Sequence, residues 1–193
     1  MQPKTQFYIF GLITFLIFPL PAVWALNFFE DFSIWEILAF HELENYFWVI
    51  GIIYGLFYAL LVMAFSESGI MEDDPKQQRY LNALNLNWMD ILCMSFFAGF
   101  GEEILFRAGI QHWLGPVLTS ILFIAIHGYL NPKKWRIFIY GLFILPFILS
   151  LAFAYDRLGL WFCIGAHFAF DLAIFWAYGL KVKGEEKYKK LNT

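Results

Sequence analysis

The stretch Gly101-Glu102-Glu103-Ile104-Leu105-Phe106-Arg107 decides the fold, because it sets three ionisable side chains inside an apolar run reaching from Met89 to Leu114. A run of that length crosses the roughly 30 Å hydrocarbon layer of a bilayer as a helix. An ionised group at mid-depth costs about 2.5–3.5 kcal/mol even on permissive scales. Such residues persist where they face a protein interior or a wet cavity, so they predict a membrane bundle with a polar site inside it. Helical spacing divides their roles. Glu103 and Arg107 stand four apart with the acid first, the favourable order for an ion pair, whereas Glu102 points elsewhere. The pair is expected to neutralise itself, which leaves Glu102 as the carboxylate available for chemistry.

Composition agrees with a membrane reading. Of 193 residues, 61% are hydrophobic, 22% aromatic and 15% charged, the last well under the roughly 25% of soluble domains. The expected class is all-α: a polytopic membrane bundle of about six transmembrane helices, forming one membrane-embedded domain over residues 1–193. The net charge of −3 comes with no concentrated basic face, so the expected surroundings are the lipid bilayer and no nucleic acid. Cys93 and Cys163 lie in apolar runs without CxxC spacing and read as small buried apolar residues.

Six apolar runs are expected as spans. They are Phe7–Phe29, interrupted by Pro19 and Pro21; Tyr46–Phe65; Met89–Leu114, ended by Gly115-Pro116; the shorter Val117–Leu130; Ile137–Tyr155, with Pro146 as a bend; and Leu158–Leu180. Val23-Trp24-Ala25 offers a rival reading of the first run as a cleavable signal peptide, which the unbroken continuation of that run opposes. Glu30–Asn45 is acidic with interleaved Phe, Ile and Trp and suits a helix lying at the interface. His41 in it, and His112 at the edge of the third run, are expected to be interfacial. Ser66–Asn87 reads as the longest polar loop and Lys181–Thr193 as a charged, fraying tail.

In a six-span layout Lys4, Lys76, Arg79, Lys133, Lys134, Arg136, Lys181, Lys183, Lys187, Lys189 and Lys190 fall on one side of the membrane, and Arg157 alone on the other. That bias places both termini in the cytoplasm of a cell membrane.

Depth brings the polar residues of three runs together. At 1.5 Å per residue, Glu102 stands about 20 Å from Met89, His127 about 18 Å from Gly115, and His167 about 14 Å from Leu158. All three fall near mid-depth, within about 10 Å of one another. Asp171 shares a face with His167, and Phe123 with His127. Each has a plainer reading when taken alone: a packed histidine, a Glu–Arg clamp between helices, and aromatic faces (Phe96, Phe97, Phe100, Phe123) that meet lipid or pack. Their coincidence at one depth, in a chain almost free of buried charge, points to a site.

The pattern Glu102-Glu103-x-x-x-Arg107, Phe123-x-x-x-His127 and His167-x-x-x-Asp171 resembles the three signature motifs of the CPBP family, the CAAX proteases and bacteriocin-processing enzymes also called Abi. The resemblance covers Asp90 to Tyr178, within a motif-bearing core of about 89–180, and includes the run Ala154 to Trp161. It leaves roughly the first 85 residues unexplained. It implies an intramembrane glutamic endopeptidase that hydrolyses a peptide bond in a membrane-associated or lipidated substrate, without a metal or other cofactor. By that analogy Glu102 is the general base that activates water and His127 holds that water. His167 and residue 171 stabilise the oxyanion, while Glu103 and Arg107 support the site. Many members carry Asn where this chain has Asp171. An ionised aspartate cannot donate to an oxyanion, so Asp171 either stays protonated or orients His167. The second is favoured, because a negative Asp171 also favours a protonated, donating His167. Three rival readings remain from the residues alone. Glu102, His127, His167 and Asp171 could ligate zinc; buried acids and histidines could form a proton or ion pathway; or the protein could be a non-catalytic immunity or scaffold protein.

Overall fold

The structure, a computed structural model, describes residues 2–67 and 83–191, and the described residues form helices without a strand. Most of the polar loop expected over Ser66–Asn87 lies outside the described residues, and so do Lys76 and Arg79. Among the described residues, five helical stretches are long and apolar enough to cross a membrane: Pro3–Glu30, Phe47–Ser66, Trp88–Ile126, Trp135–Leu158 and Leu160–Gly179. The chain is a multi-pass membrane protein.

The first stretch is two helices, α1 (Pro3–Leu16) and α2 (Pro19–Glu30), broken where the prolines were expected to break it. Pro19 opens α2, a position where the missing N–H costs nothing. The single interfacial helix expected over Glu30–Asn45 is instead two short pieces. Ser33 and Glu36 form a capping box that starts α3 (Ile34–Leu38), and a 3-10 helix follows over Phe40–Asn45. Left-handed backbone at Ala39 and Tyr46 ends each piece, a conformation that non-glycine residues give no sequence sign of.

Helix α4 (Phe47–Glu67) packs chiefly on the last helix, α8 (Leu160–Leu191). The contact is close because Gly51 and Gly55 lie directly against the Phe162 and Ala166 carbonyls, where a Cβ would collide with backbone. Small residues four apart are the usual means of bringing membrane helices together. Helix α8 continues to Leu191 through the tail that was expected to fray.

The stretch Trp88–Ile126 holds the site. Helix α5 (Trp88–Glu103) starts with a capping box in which Asn87 Oδ1 accepts from the Asp90 amide at 3.0 Å and Asp90 Oδ2 accepts from the Asn87 amide at 2.8 Å. A π-helical segment, Ile104–Ile110, follows and leads into α6 (Gln111–Ile126). Gly115 has φ 70° and ψ 172°, outside helical space. A straight helix would separate Glu102 from His127 by about 37 Å. Their side chains lie 3.6 Å apart, so the chain doubles back at Gly115-Pro116. This is where the sequence divides the third and fourth runs. Helix α7 (Trp135–Leu158) keeps Pro146 inside it, and Gly159, at φ 84°, turns the chain into α8. The core between α4, α6, α7 and α8 is largely aromatic: Phe147 stacks on Phe170 with centroids 4.7 Å apart, and Tyr58 lies 4.9 Å from Phe147.

Candidate active site

Four side chains from three separate segments line one cavity of about 290 Å3: Glu102 at the end of α5, His127 just past α6, and His167 and Asp171 on α8. Glu102 Oε2 stands 3.6 Å from His127 Nε2 and 4.0 Å from His167 Nε2. It is buried and has no hydrogen-bond partner among the described residues. His127 is fixed from behind. Its Nδ1 donates to the Phe123 carbonyl at 2.7 Å, and its ring stacks on Phe123 at 4.3 Å between centroids. A carbonyl only accepts, so Nδ1 carries the proton and Nε2 is turned to Glu102.

His167 is held by Glu103. Glu103 Oε1 accepts from His167 Nδ1 at 2.7 Å, and Glu103 Oε2 accepts from Arg107 Nε at 2.9 Å. Both partners of the Glu103–Arg107 pair are completely buried. The expected ion pair is therefore present, and Glu102 is the acid left outside it. Glu103 does more than the spacing suggested, since it also orients a histidine on another helix. Of the two roles expected for Asp171, orienting His167 was the favoured one. Asp171 Oδ2 lies 3.6 Å from His167 Nε2, on the cavity side of the ring, beyond direct hydrogen-bond distance. The π-helical turn begins directly after Glu103 and carries Arg107, and such turns occur frequently at functional sites.

Several participants carry no motif. Gln111 accepts from Arg107 Nη1 at 3.3 Å and donates to the Ala152 carbonyl at 2.8 Å. Tyr129 and Tyr140 line the cavity, as do Phe7, Phe10, Gly11 and Thr14 of α1. Phe123 is buried packing beside both histidines, whereas Phe96 is partly exposed. His112 sits away from this cavity, 3.2 Å from Glu30, and His41 lines a second cavity of about 420 Å3 that also borders Arg107 and Gln111. Among the described residues no group of three or more His, Cys, Asp or Glu side chains is arranged to hold a metal ion.

Residues 84–173 match the family model described as type II CAAX prenyl endopeptidase, Rce1-like. That segment belongs to the CPBP family. It is a peptidase family, and the matched segment contains Glu102, Glu103, Arg107, His127, His167 and Asp171. The CPBP segment begins six residues before and ends five residues before the limits that the sequence resemblance suggested. Helices α1 to α4 lie outside it. No curated protein and no solved structure matches the chain significantly.

Proposed function

We propose that the protein is an intramembrane endopeptidase in which Glu102 activates a water molecule that hydrolyses a peptide bond of a membrane-associated or lipidated substrate. The observation that carries this reading is the meeting of Glu102 Oε2 with His127 Nε2 at 3.6 Å and with His167 Nε2 at 4.0 Å around one cavity. A water about 2.8 Å from both Glu102 Oε2 and His127 Nε2 spans such a gap and donates one hydrogen bond to each. One of its two lone pairs then attacks the substrate carbonyl carbon. Glu102 takes the proton that the water loses and returns it to the amine as the C–N bond breaks, so the carboxylate ends as it began. No serine or cysteine is needed as a covalent nucleophile.

His167 faces the place where the oxyanion forms. With Nδ1 donating to Glu103, Nε2 donates to an oxyanion only from the doubly protonated ring, and Asp171 at 3.6 Å is the counter-charge to that ring. Glu103 and Arg107 support this arrangement without touching substrate. The whole chain is one membrane-embedded domain in this reading, with both termini cytoplasmic. The reversal at Gly115 makes the number of passes even, and the basic residues supply the sign.

The test is cleavage of a membrane-peptide library by the purified protein in detergent, followed by mass spectrometry. Products from the wild type that vanish with Glu102→Ala, at unchanged thermal stability, support the reading. Equal cleavage by Glu102→Ala refutes it. Activity removed by a chelator and restored by zinc turns it into metal-assisted hydrolysis. Proton flux in liposomes without any cleavage turns it into a transport pathway.

A further inference from the structure

We infer that Gln111 is a positioning residue for His167, acting through Arg107 and Glu103; its kinetic consequence rests on the peptidase reading, and its structural consequence does not. Gln111 is buried at the first position of α6, directly after the π-helical turn. Its Oε1 accepts from Arg107 Nη1 at 3.3 Å and its Nε2 donates to the Ala152 carbonyl of α7 at 2.8 Å. Arg107 Nε in turn donates to Glu103 at 2.9 Å, and Glu103 accepts from His167 Nδ1 at 2.7 Å. One continuous line of hydrogen bonds thus runs from the α7 backbone to the imidazole on α8.

The chemistry of each link fits the residue found there. The group between a guanidinium and a carbonyl must accept on one side and donate on the other, which among side chains of this length an amide does without adding charge. Arg107 already has Nη2 without a partner in a fully buried setting. Removing the Gln111 acceptor leaves a second buried donor unpaired and the guanidinium held at Nε alone. The cheapest escape is rotation of that group, and Glu103 Oε2 must then follow or lose its partner. Because Glu103 grips His167 through its other oxygen, the ring orientation is the downstream variable.

The test uses the full chain in detergent with 15N-labelled histidine. His167→Gln identifies the His167 signals by their absence. Gln111→Met, close in shape and lacking both hydrogen bonds, is expected to move the His167 Nδ1 resonance while those of His41 and His112 stay in place. Gln111→Leu is the second variant if Gln111→Met folds poorly. Gln111→Glu, which keeps the acceptor for Arg107 but not the neutral donor to Ala152, is expected to move the His167 signal less than Gln111→Met does. In cleavage assays Gln111→Met should lower kcat by about 10- to 100-fold, the scale of small misplacements made far from the chemistry, with KM little changed. In a Glu103→Gln background, where the line is already cut, the same substitution should cost less than about twofold. A His167 signal unmoved by Gln111→Met, or the full kinetic penalty repeated in the Glu103→Gln background, overturns the inference. A His167 signal moved by Gln111→Met, together with a wild type that cleaves nothing, sinks the peptidase reading and keeps the line of hydrogen bonds. Cleavage with fully additive penalties does the reverse.

Discussion

Arg107→Met tests how the buried ion pair works. Neither Glu103 nor Arg107 exposes any side-chain surface, and the pair closes at 2.9 Å. Removing the cation leaves Glu103 buried with His167 as its one remaining partner among the described residues, and breaking a buried pair in this way costs about 3–5 kcal/mol. At about 2–4 °C per kcal/mol for a chain of this size, the melting temperature should fall by about 6–20 °C. Arg107→Lys keeps a charge but not the fork that reaches Glu103 and Gln111 together, so it should lose about 1.5–3 kcal/mol, the value of one hydrogen bond to a charged group. The informative variant is the double substitution Glu103→Leu with Arg107→Met. Replacing both ions by apolar side chains removes the uncompensated charge and is often neutral, although His167 Nδ1 then lacks an acceptor at about 1–3 kcal/mol. The double variant should therefore melt above Arg107→Met and still cleave nothing, because the ring is no longer held. Tryptophan fluorescence during thermal unfolding in detergent, paired with the peptide assay, reads both quantities. A fall below about 2 °C for Arg107→Met, under 1 kcal/mol on the same scale, or a double variant less stable than the single one, would show that the pair does not hold the fold.

Three further outcomes follow from particular contacts. Gly55→Leu should sharply reduce the yield of folded protein, read as the monodisperse fraction on size exclusion, because its side chain meets the Ala166 carbonyl where α4 and α8 touch; an unchanged profile would mean that these helices tolerate separation. Asp171→Asn should lower kcat as far as Asp171→Ala does, by about 100-fold, since residue 171 acts in this mechanism as a counter-charge beside His167 Nε2 at 3.6 Å; wild-type turnover in the Asn variant would establish a neutral donor instead. The Ser33 hydroxyl and amide hold the Glu36 carboxylate below its ordinary value. Its contribution to the α3 capping box is therefore present above the unfolded glutamate value of about 4.3 and lost as pH falls through the lowered folded one. Hydrogen exchange at Glu36 and Ile37 should accelerate across that window in the wild type and show no such step in Glu36→Gln.

What was legible in the sequence was whatever one helix fixes by itself. Glu103 and Arg107 announced their pairing by a spacing of four, and Glu102 was read as the odd acid because it could not join them. Pro19 marked the break between α1 and α2, and Gly115-Pro116 marked the reversal. Depth along each run was enough to predict that Glu102, His127 and His167 could meet. Rotation of one helix about its axis relative to another was not legible, and the missed contacts depend on that. Glu103 reaches His167 across 64 positions of chain, and no periodicity within α5 says that its second oxygen faces α8. Gln111 stood in plain view four residues after Arg107, yet its donation to Ala152 depends on where α7 lies. The division of residues 30–45 was hidden for a different reason, since Ala39 and Tyr46 adopt left-handed backbone without the glycine or asparagine that would announce it.

The helix that no motif explained turns out to constrain the motif itself. Thr14 and Phe15 of α1 press so closely on α5 that a Cβ at Gly101 would strike the Thr14 backbone, and a Cβ at Gly11 would strike Met94. The same face of α1 presents Phe7, Phe10, Gly11 and Thr14 to the cavity that holds Glu102. Its N-terminal turn is fastened to α5 by Lys4, 2.5 Å from Asp90, and by the Tyr8 hydroxyl, which donates to the same carboxylate. The residue before Glu102 is thus glycine because a helix beyond the CPBP segment needs the space. Closure of the cavity on this side depends on residues that the family match does not include. The acids and histidines of the cavity come from one part of the chain, and one wall of their chamber comes from another. A bulkier residue at Gly11 would press on the end of the Met94 side chain, which lines the same cavity, and so would reshape that wall without touching any of the four side chains inside it.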